Sequence, residues 1–189
     1  AYLIYKFFQK TWGTEYIVNP NNIIVEHYVT PWMHKMGKLW ALIEFISIIP
    51  WILIVNIWNT LGYTVICDRY TPDFLATTAL RTGDPLTPWK TTIGKLLLAY
   101  AKKHQTFLLD INPKTALQRR PDIEYTLEEL KTLTALYRTI AKNTNTHIIN
   151  TKNQTPQQTT QEILKILKTK HNSPLSYPLD IKENVKTIK

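Results

Sequence analysis

Three short apolar, partly β-branched runs, YTVIC (63–67), TFLLDI (106–111) and THIIN (146–150), are each followed by a stretch with helical periodicity. A strand that is apolar on both faces must be covered on both faces, and strands joined through helices meet this need as a parallel sheet sandwiched by helices. The expected fold class is therefore α/β, three-layer α/β/α with a central parallel sheet. After the first run, residues 72–81 read as a short helix, Asp84-Pro85 and Thr87-Pro88 mark a loop, and Lys90–Lys103 form an amphipathic helix whose basic end suits its negative pole. After the second come Asn112-Pro113, a helix over Lys114–Arg119, and a helix over Thr126–Lys142 that puts Leu127, Leu130, Leu133, Leu136, Tyr137 and Ile140 on one side. After the third, Thr155–Lys170 is a last helix with Pro156 in its first turn.

Upstream, Leu3, Ile4, Phe7 and Phe8 have helical spacing over residues 1–12, with Gly13 as the stop. Glu15–Val18 and residues 22–28 are expected strands around the Asn-Pro-Asn-Asn turn at 19–22. From Gly37 to Asn59 the pattern is helical and apolar nearly all round. Pro50 interrupts it, so two helical pieces or one kinked helix, packed deep in the domain, are expected. FISIIPWILIVNIW (45–58) is also the membrane candidate, but Glu44, Pro50 and Asn56 bound or interrupt it, and it is shorter than the roughly 18–20 clean apolar residues of a span. A buried helix is favoured, stable membrane insertion is not expected, and the apolar 39–58 helix is a candidate homodimer surface. Residues 1–170 are expected to form one domain and residues 171–189 a tail.

The 44% apolar and 11% aromatic content of the 189 residues is enough for a real core and excludes a disordered chain. The 23 Lys and Arg against 14 Asp and Glu, formally +9, favour polyanionic ligands. Their scatter, with short Lys clusters near 102–103 and 165–170, does not favour nucleic acid. A single cysteine, Cys67, excludes an intrachain disulfide, and a reducing, cytoplasmic setting is expected. The N-terminal AYLIYKFFQKTWG has no initiating Met and does not read as a targeting peptide.

In an open parallel sheet, ligands gather beyond the carboxyl ends of the strands, where this reading places Asp68-Arg69-Tyr70, Asp110 and Thr151-Lys152. A carboxylate on a rigid strand end can hold hydrated Mg²⁺, and an adjacent Arg offers a fork of donors to phosphate. Phosphoryl transfer needs both. The alternative is a strand-end turn carrying a surface ion pair.

Taken in order, TVICDRY with Asp73 three residues on, FLLDINPKTALQRR, LEELKTLTALYRTIAK and HIINTKNQTPQQTTQEILKIL resemble the thymidylate kinase-like branch of the P-loop nucleoside and nucleotide kinases, over about residues 37–168. The resemblance implies transfer of the ATP γ-phosphoryl group to a nucleoside monophosphate, with dTMP the best single acceptor. It further implies that Asp68 serves Mg²⁺ and the reacting phosphates, that Arg69 grips the acceptor phosphate, and that Tyr70 borders the sugar. TALQRRPD resembles the family's lid, making Arg119 and Arg120 the candidates that neutralise charge on the donor phosphates. A basic helix end is the plainer reading of the pair. The Asn150–Thr155 loop, with Thr151, would lie near the adenine.

Three departures stand out. Where thymidylate-specific members often continue with a small-Ser-rich stretch and Ala-Tyr-Gln, this chain reads TPDFLATTALR. The helix LWALIEFISI lacks the arginine that often holds the acceptor phosphate, which leaves Trp40 as a stacking platform or core residue and Arg81 as a substitute. No G-x-x-x-x-G-K-[ST] occurs in the 189 residues, so the phosphate loop and its strand are expected upstream of Ala1, from another chain, or not at all. Without that strand, two strands would lack a partner. A kinase-derived module that binds nucleotide, nucleic acid or a protein through its basic surface is the alternative.

Overall fold

The computed structural model describes residues 16–18, 24–26, 31–120, 122–171 and 185–188. The helix expected over 1–12 and the turn at 19–22 lie outside the described residues. Those described form a mixed α/β chain, mostly helical: β1 (Tyr16–Val18), β2 (Ile24–Glu26), α1 (Pro31–Thr60), β3 (Thr64–Cys67), α2 (Thr71–Thr82), α3 (Thr87–Lys90), α4 (Thr92–Ala101), β4 (Thr106–Asp110), α5 (Pro113–Arg119), α6 (Leu127–Lys142), β5 (Thr146–Asn150), α7 (Pro156–His171) and β6 (Val185–Ile188).

The strands pair as three two-stranded sheets. β1 and β2 are antiparallel, β4 and β5 are parallel with Thr106 opposite Thr146, and β3 and β6 are parallel with Thr64 opposite Val185. The parallel pairing is as the β-α alternation requires, but a single continuous central sheet is not formed among the described residues. β6 comes from the stretch expected to be a tail. Ile66 on β3, Leu109 on β4 and Ile148 on β5 are each about half exposed, so one apolar side of each strand is open.

The core lies between helices. Ala41, Phe45 and Ile48 of α1 pack with Leu75, Ala76, Ala79 and Leu80 of α2, Leu97 and Leu98 of α4, and Leu133, Leu136 and Ile140 of α6. α2 is the hub, touching α1, α3, α4 and α6, while α6 backs both β4 and β5. A capping box starts α6: Thr126 Oγ1 accepts from the Glu129 amide at 3.2 Å and Glu129 Oε2 accepts from the Thr126 amide at 2.7 Å.

α1 differs from expectation in two ways. Its non-helical residue is Gly37 (φ 21, ψ −90) rather than Pro50, through which the helix continues. Glycine, without a Cβ, takes positive φ at little cost, so the chain bends there. Nor is α1 packed deep. One face is buried, and a second carries exposed Leu39, Leu42, Ile46, Ile49, Leu53 and Ile57. By length and composition, Met33–Thr60 could cross a membrane, with about a third of its apolar window buried against the rest of the protein.

Candidate functional site

Beyond Cys67 the chain must turn from strand into helix within three residues. Arg69 makes the turn at φ 54, alone in positive φ among the described non-glycine residues. A left-handed L-residue costs about 1–2 kcal/mol, so the surrounding contacts must hold it there. α2 then begins at Thr71 with Pro in its first turn, and Asp73 joins that turn at the positive pole of the helix.

Asp73 is the hinge of the site. Its Oδ1 accepts a short hydrogen bond from the Tyr137 hydroxyl on α6. Burial raises the Asp73 pKa above the ordinary carboxylate value, against the opposing pull of the Tyr137 bond and the Arg69 charge. Burial likewise pushes the Tyr137 phenol up, helped by the Asp73 charge, so Tyr137 stays a donor. Arg69 is disfavoured by burial, but Asp73, Tyr137, Tyr125 and Asp68 outweigh this and raise its pKa.

Tyr70 faces another way. Its hydroxyl lies 3.3 Å from that of Tyr100 on α4, the rings meet edge to face at 6.2 Å, and Tyr100 donates in turn to Asn56 Oδ1 on α1 at 3.3 Å. Burial first, then the Tyr100 bond, raises the Tyr70 pKa. Thr71 Oγ1 and Thr78 Oγ1, both fully buried on α2, have no hydrogen-bond partner among the described residues.

A second group forms beyond β4 and β5. Arg138 on α6 holds Asp110 through both oxygens, at 3.2 and 2.8 Å. The Asp110 carbonyl accepts from the Thr151 amide at 2.9 Å and from Thr151 Oγ1 at 3.2 Å. Arg119 donates to the carbonyls of Thr151 and Lys152 at 3.1 and 2.8 Å, so in this conformation it fixes the loop after β5. Arg120 pairs at the surface with Asp122 at 3.4 Å, which matches a basic helix end better than a lid.

The two groups meet on α6. Tyr137 and Arg138 are consecutive, the first bound to Asp73 behind the β3 turn and the second to Asp110 at the end of β4. Hydrogen bonds and one sequence step on α6 thus link Asp73, Tyr137, Arg138, Asp110, Thr151 and Arg119, and the Arg69 charge acts on Asp73.

Two candidates have structural surroundings. Trp40 is fully buried with Met33 against Met36 and Ile43, so it is a core residue without an open ring face. Arg81 forms an ion pair with Glu44 of α1 at 2.5 Å, both nearly buried. Among the described residues no three His, Cys, Asp or Glu side chains gather. Asp68 is an exposed carboxylate, and no all-protein metal cage forms among the described residues. An open surface depression of about 510 Å³ along Gln161, Leu164, Lys165, Lys168 and Thr169 of α7 is lined by none of the candidates.

Sequence reasoning missed Tyr137, Tyr100, Asn56 and Arg138 as site residues. Tyr137 reads as part of an apolar face, and its hydroxyl at the edge of that face was the available signal. No protein-family profile, curated protein or solved structure matches the chain.

Proposed function

We propose that this chain is a nucleotide kinase of the thymidylate kinase-like kind, built to receive a nucleoside monophosphate, with dTMP the first acceptor to test, and the γ-phosphoryl group of ATP with Mg²⁺. The observation that carries the proposal is the consecutive Tyr137-Arg138 pair, which ties the β3 end and the β4–β5 ends to one turn of α6. In parallel α/β proteins ligands gather beyond the carboxyl ends of the strands.

In this reading Arg69 is the phosphate grip: it follows the end of β3 in a left-handed turn, and its guanidinium is charged whatever its neighbours. Asp68 holds Mg²⁺, whose part is to neutralise phosphate charge. Tyr70, set by Tyr100, borders the sugar. Arg119 must exchange the Thr151 and Lys152 carbonyls for donor phosphates, and Arg120 must leave Asp122. Dependence on ATP and Mg²⁺, with a lone thiol whose pKa burial raises, fits the cytoplasm.

A second reading, a kinase-like module that binds nucleotide without transferring phosphate, is favoured by Arg119 being engaged with backbone. Calorimetric titration with dTMP, dUMP, dGMP, AMP and ATP, with and without Mg²⁺, tests both. Binding of a monophosphate that weakens at least 10-fold in Arg69→Ala, about 1.4 kcal/mol, is expected, while thymidine binding is unchanged. Binding with no phosphoryl transfer leaves only the module; no binding to any nucleotide overturns both.

A further inference from the structure

Arg138 is an arginine that packing does not require. It lies off the buried stripe of α6 formed by Leu133, Leu136 and Ile140, and half of its side chain is exposed. Lys131, also exposed on α6, pairs with Glu128 one turn back on the same helix. Arg138 instead reaches the end of β4, 28 positions earlier in the chain, and holds both oxygens of Asp110. A two-pronged pair of this kind fixes geometry, whereas an ordinary surface ion pair contributes little.

Asp110 stands where its charge has consequences. It ends β4 with 18% of its side chain exposed, on the side of a parallel pair where ligands gather. One residue, Thr151, joins it to Arg119: the Asp110 carbonyl accepts from the Thr151 amide and hydroxyl, and the Thr151 carbonyl accepts from Arg119. With its oxygens free, the Asp110 carboxylate would compete for Arg119 with more than a hydrogen bond, because opposite charge and a matching fork add to the attraction. The same free charge would repel a polyphosphate.

We infer that Arg138 is a positioning residue for Arg119: by occupying both oxygens of Asp110 it leaves Arg119 on the Thr151 and Lys152 carbonyls, which a nucleoside triphosphate can displace. The identity of that anion rests on the kinase reading. The pair is braced from both sides. Tyr137 anchors α6 through Asp73, and β5 pairs with β4 as far as Asp110, which lies opposite Asn150.

Calorimetric titration of the whole chain with ATP and Mg²⁺ tests this. Arg138→Met should weaken ATP binding about 10-fold, or about 1.4 kcal/mol, and leave dTMP binding unchanged. Adding Asp110→Asn should restore ATP affinity to within about 2-fold of wild type, since the competing carboxylate is gone. An arginine that touched phosphate directly would not be rescued in this way. In an Arg119→Ala background, Arg138→Met should have no further effect. A second readout needs no nucleotide: the NMR signal of the Arg119 guanidinium should shift in Arg138→Met as it passes from carbonyls to the carboxylate, and should return with Asp110→Asn. A wild type that binds no ATP overturns the kinase reading and leaves the Arg119 signal to decide the positioning. An unmoved Arg119 signal, no rescue by Asp110→Asn, or an equal loss of dTMP affinity overturns the inference.

Discussion

Arg81→Met is the most informative single change, because it separates a structural arginine from a phosphate-binding one. The Arg81 and Glu44 side chains are only 14% and 6% exposed and their charged atoms lie 2.5 Å apart, joining α2 to α1. Methionine keeps much of the aliphatic stem but leaves the Glu44 carboxylate in the core without its counter-charge. Stranding one member of a buried pair costs about 3–5 kcal/mol, a large share of the ~5–15 kcal/mol that holds a domain of this kind together. Replacing both members, Glu44→Met with Arg81→Met, should return stability to within about 1 kcal/mol of wild type, since the desolvation cost of two ions disappears with their attraction. The return should be incomplete, because Arg81 also helps to hold down the Asp73 pKa. Urea unfolding at pH 7 followed by tryptophan fluorescence measures this. A deficit under about 1 kcal/mol, or a double variant less stable than Arg81→Met, would refute the reasoning.

Other substitutions probe the site directly. Arg69→Gly and Arg69→Ala both remove the guanidinium, so their difference isolates the backbone, and thermal denaturation should show glycine more stable by about 1 kcal/mol at φ 54. Tyr137→Phe removes the donor to Asp73 and should cost about 1–3 kcal/mol in urea. Because the folded Asp73 pKa is already raised, that deficit should be least below pH 4 and widen as pH rises through the folded value. Thr78→Val replaces a buried hydroxyl that has no partner among the described residues, so it should be neutral or stabilising by about 1 kcal/mol; a loss of similar size would mean that the hydroxyl has a partner in the folded chain.

The local elements were legible because each has its own period. The Leu127-to-Ile140 pattern on α6, the β-branched runs of β3, β4 and β5, and the Pro-containing first turn of α7 fall within a few residues of the structural bounds. What could not be read is where distant segments meet. The pairing of Val185–Ile188 with β3 depends on chain return rather than on any pattern within residues 171–189. α1 reads as apolar all round, and only the position of α2 decides which side is buried. Arg119 is a basic helix end in sequence, and only the closeness of the β5 loop gives it the Thr151 and Lys152 carbonyls. Asp68, Arg69 and Tyr70 were recognisable because chemistry placed at the end of an apolar strand is conspicuous; Tyr137 was not, because one hydroxyl on an apolar face is common.

The two parallel pairs also differ in when they can exist. Thr106 meets Thr146, 40 positions later, whereas Thr64 meets Val185, 121 positions later. Closing a loop three times as long costs about 1 kcal/mol more in chain entropy. During synthesis β4 and β5 can therefore zip together as soon as they emerge, with the capped α6 between them as scaffold. β3 must wait until Val185–Ile188 has been made, and until then it offers Ile66 and its β6-pairing edge to any neighbour. The nascent polypeptide is exposed to aggregation in that interval, which pairing with residues 185–188 brings to a close.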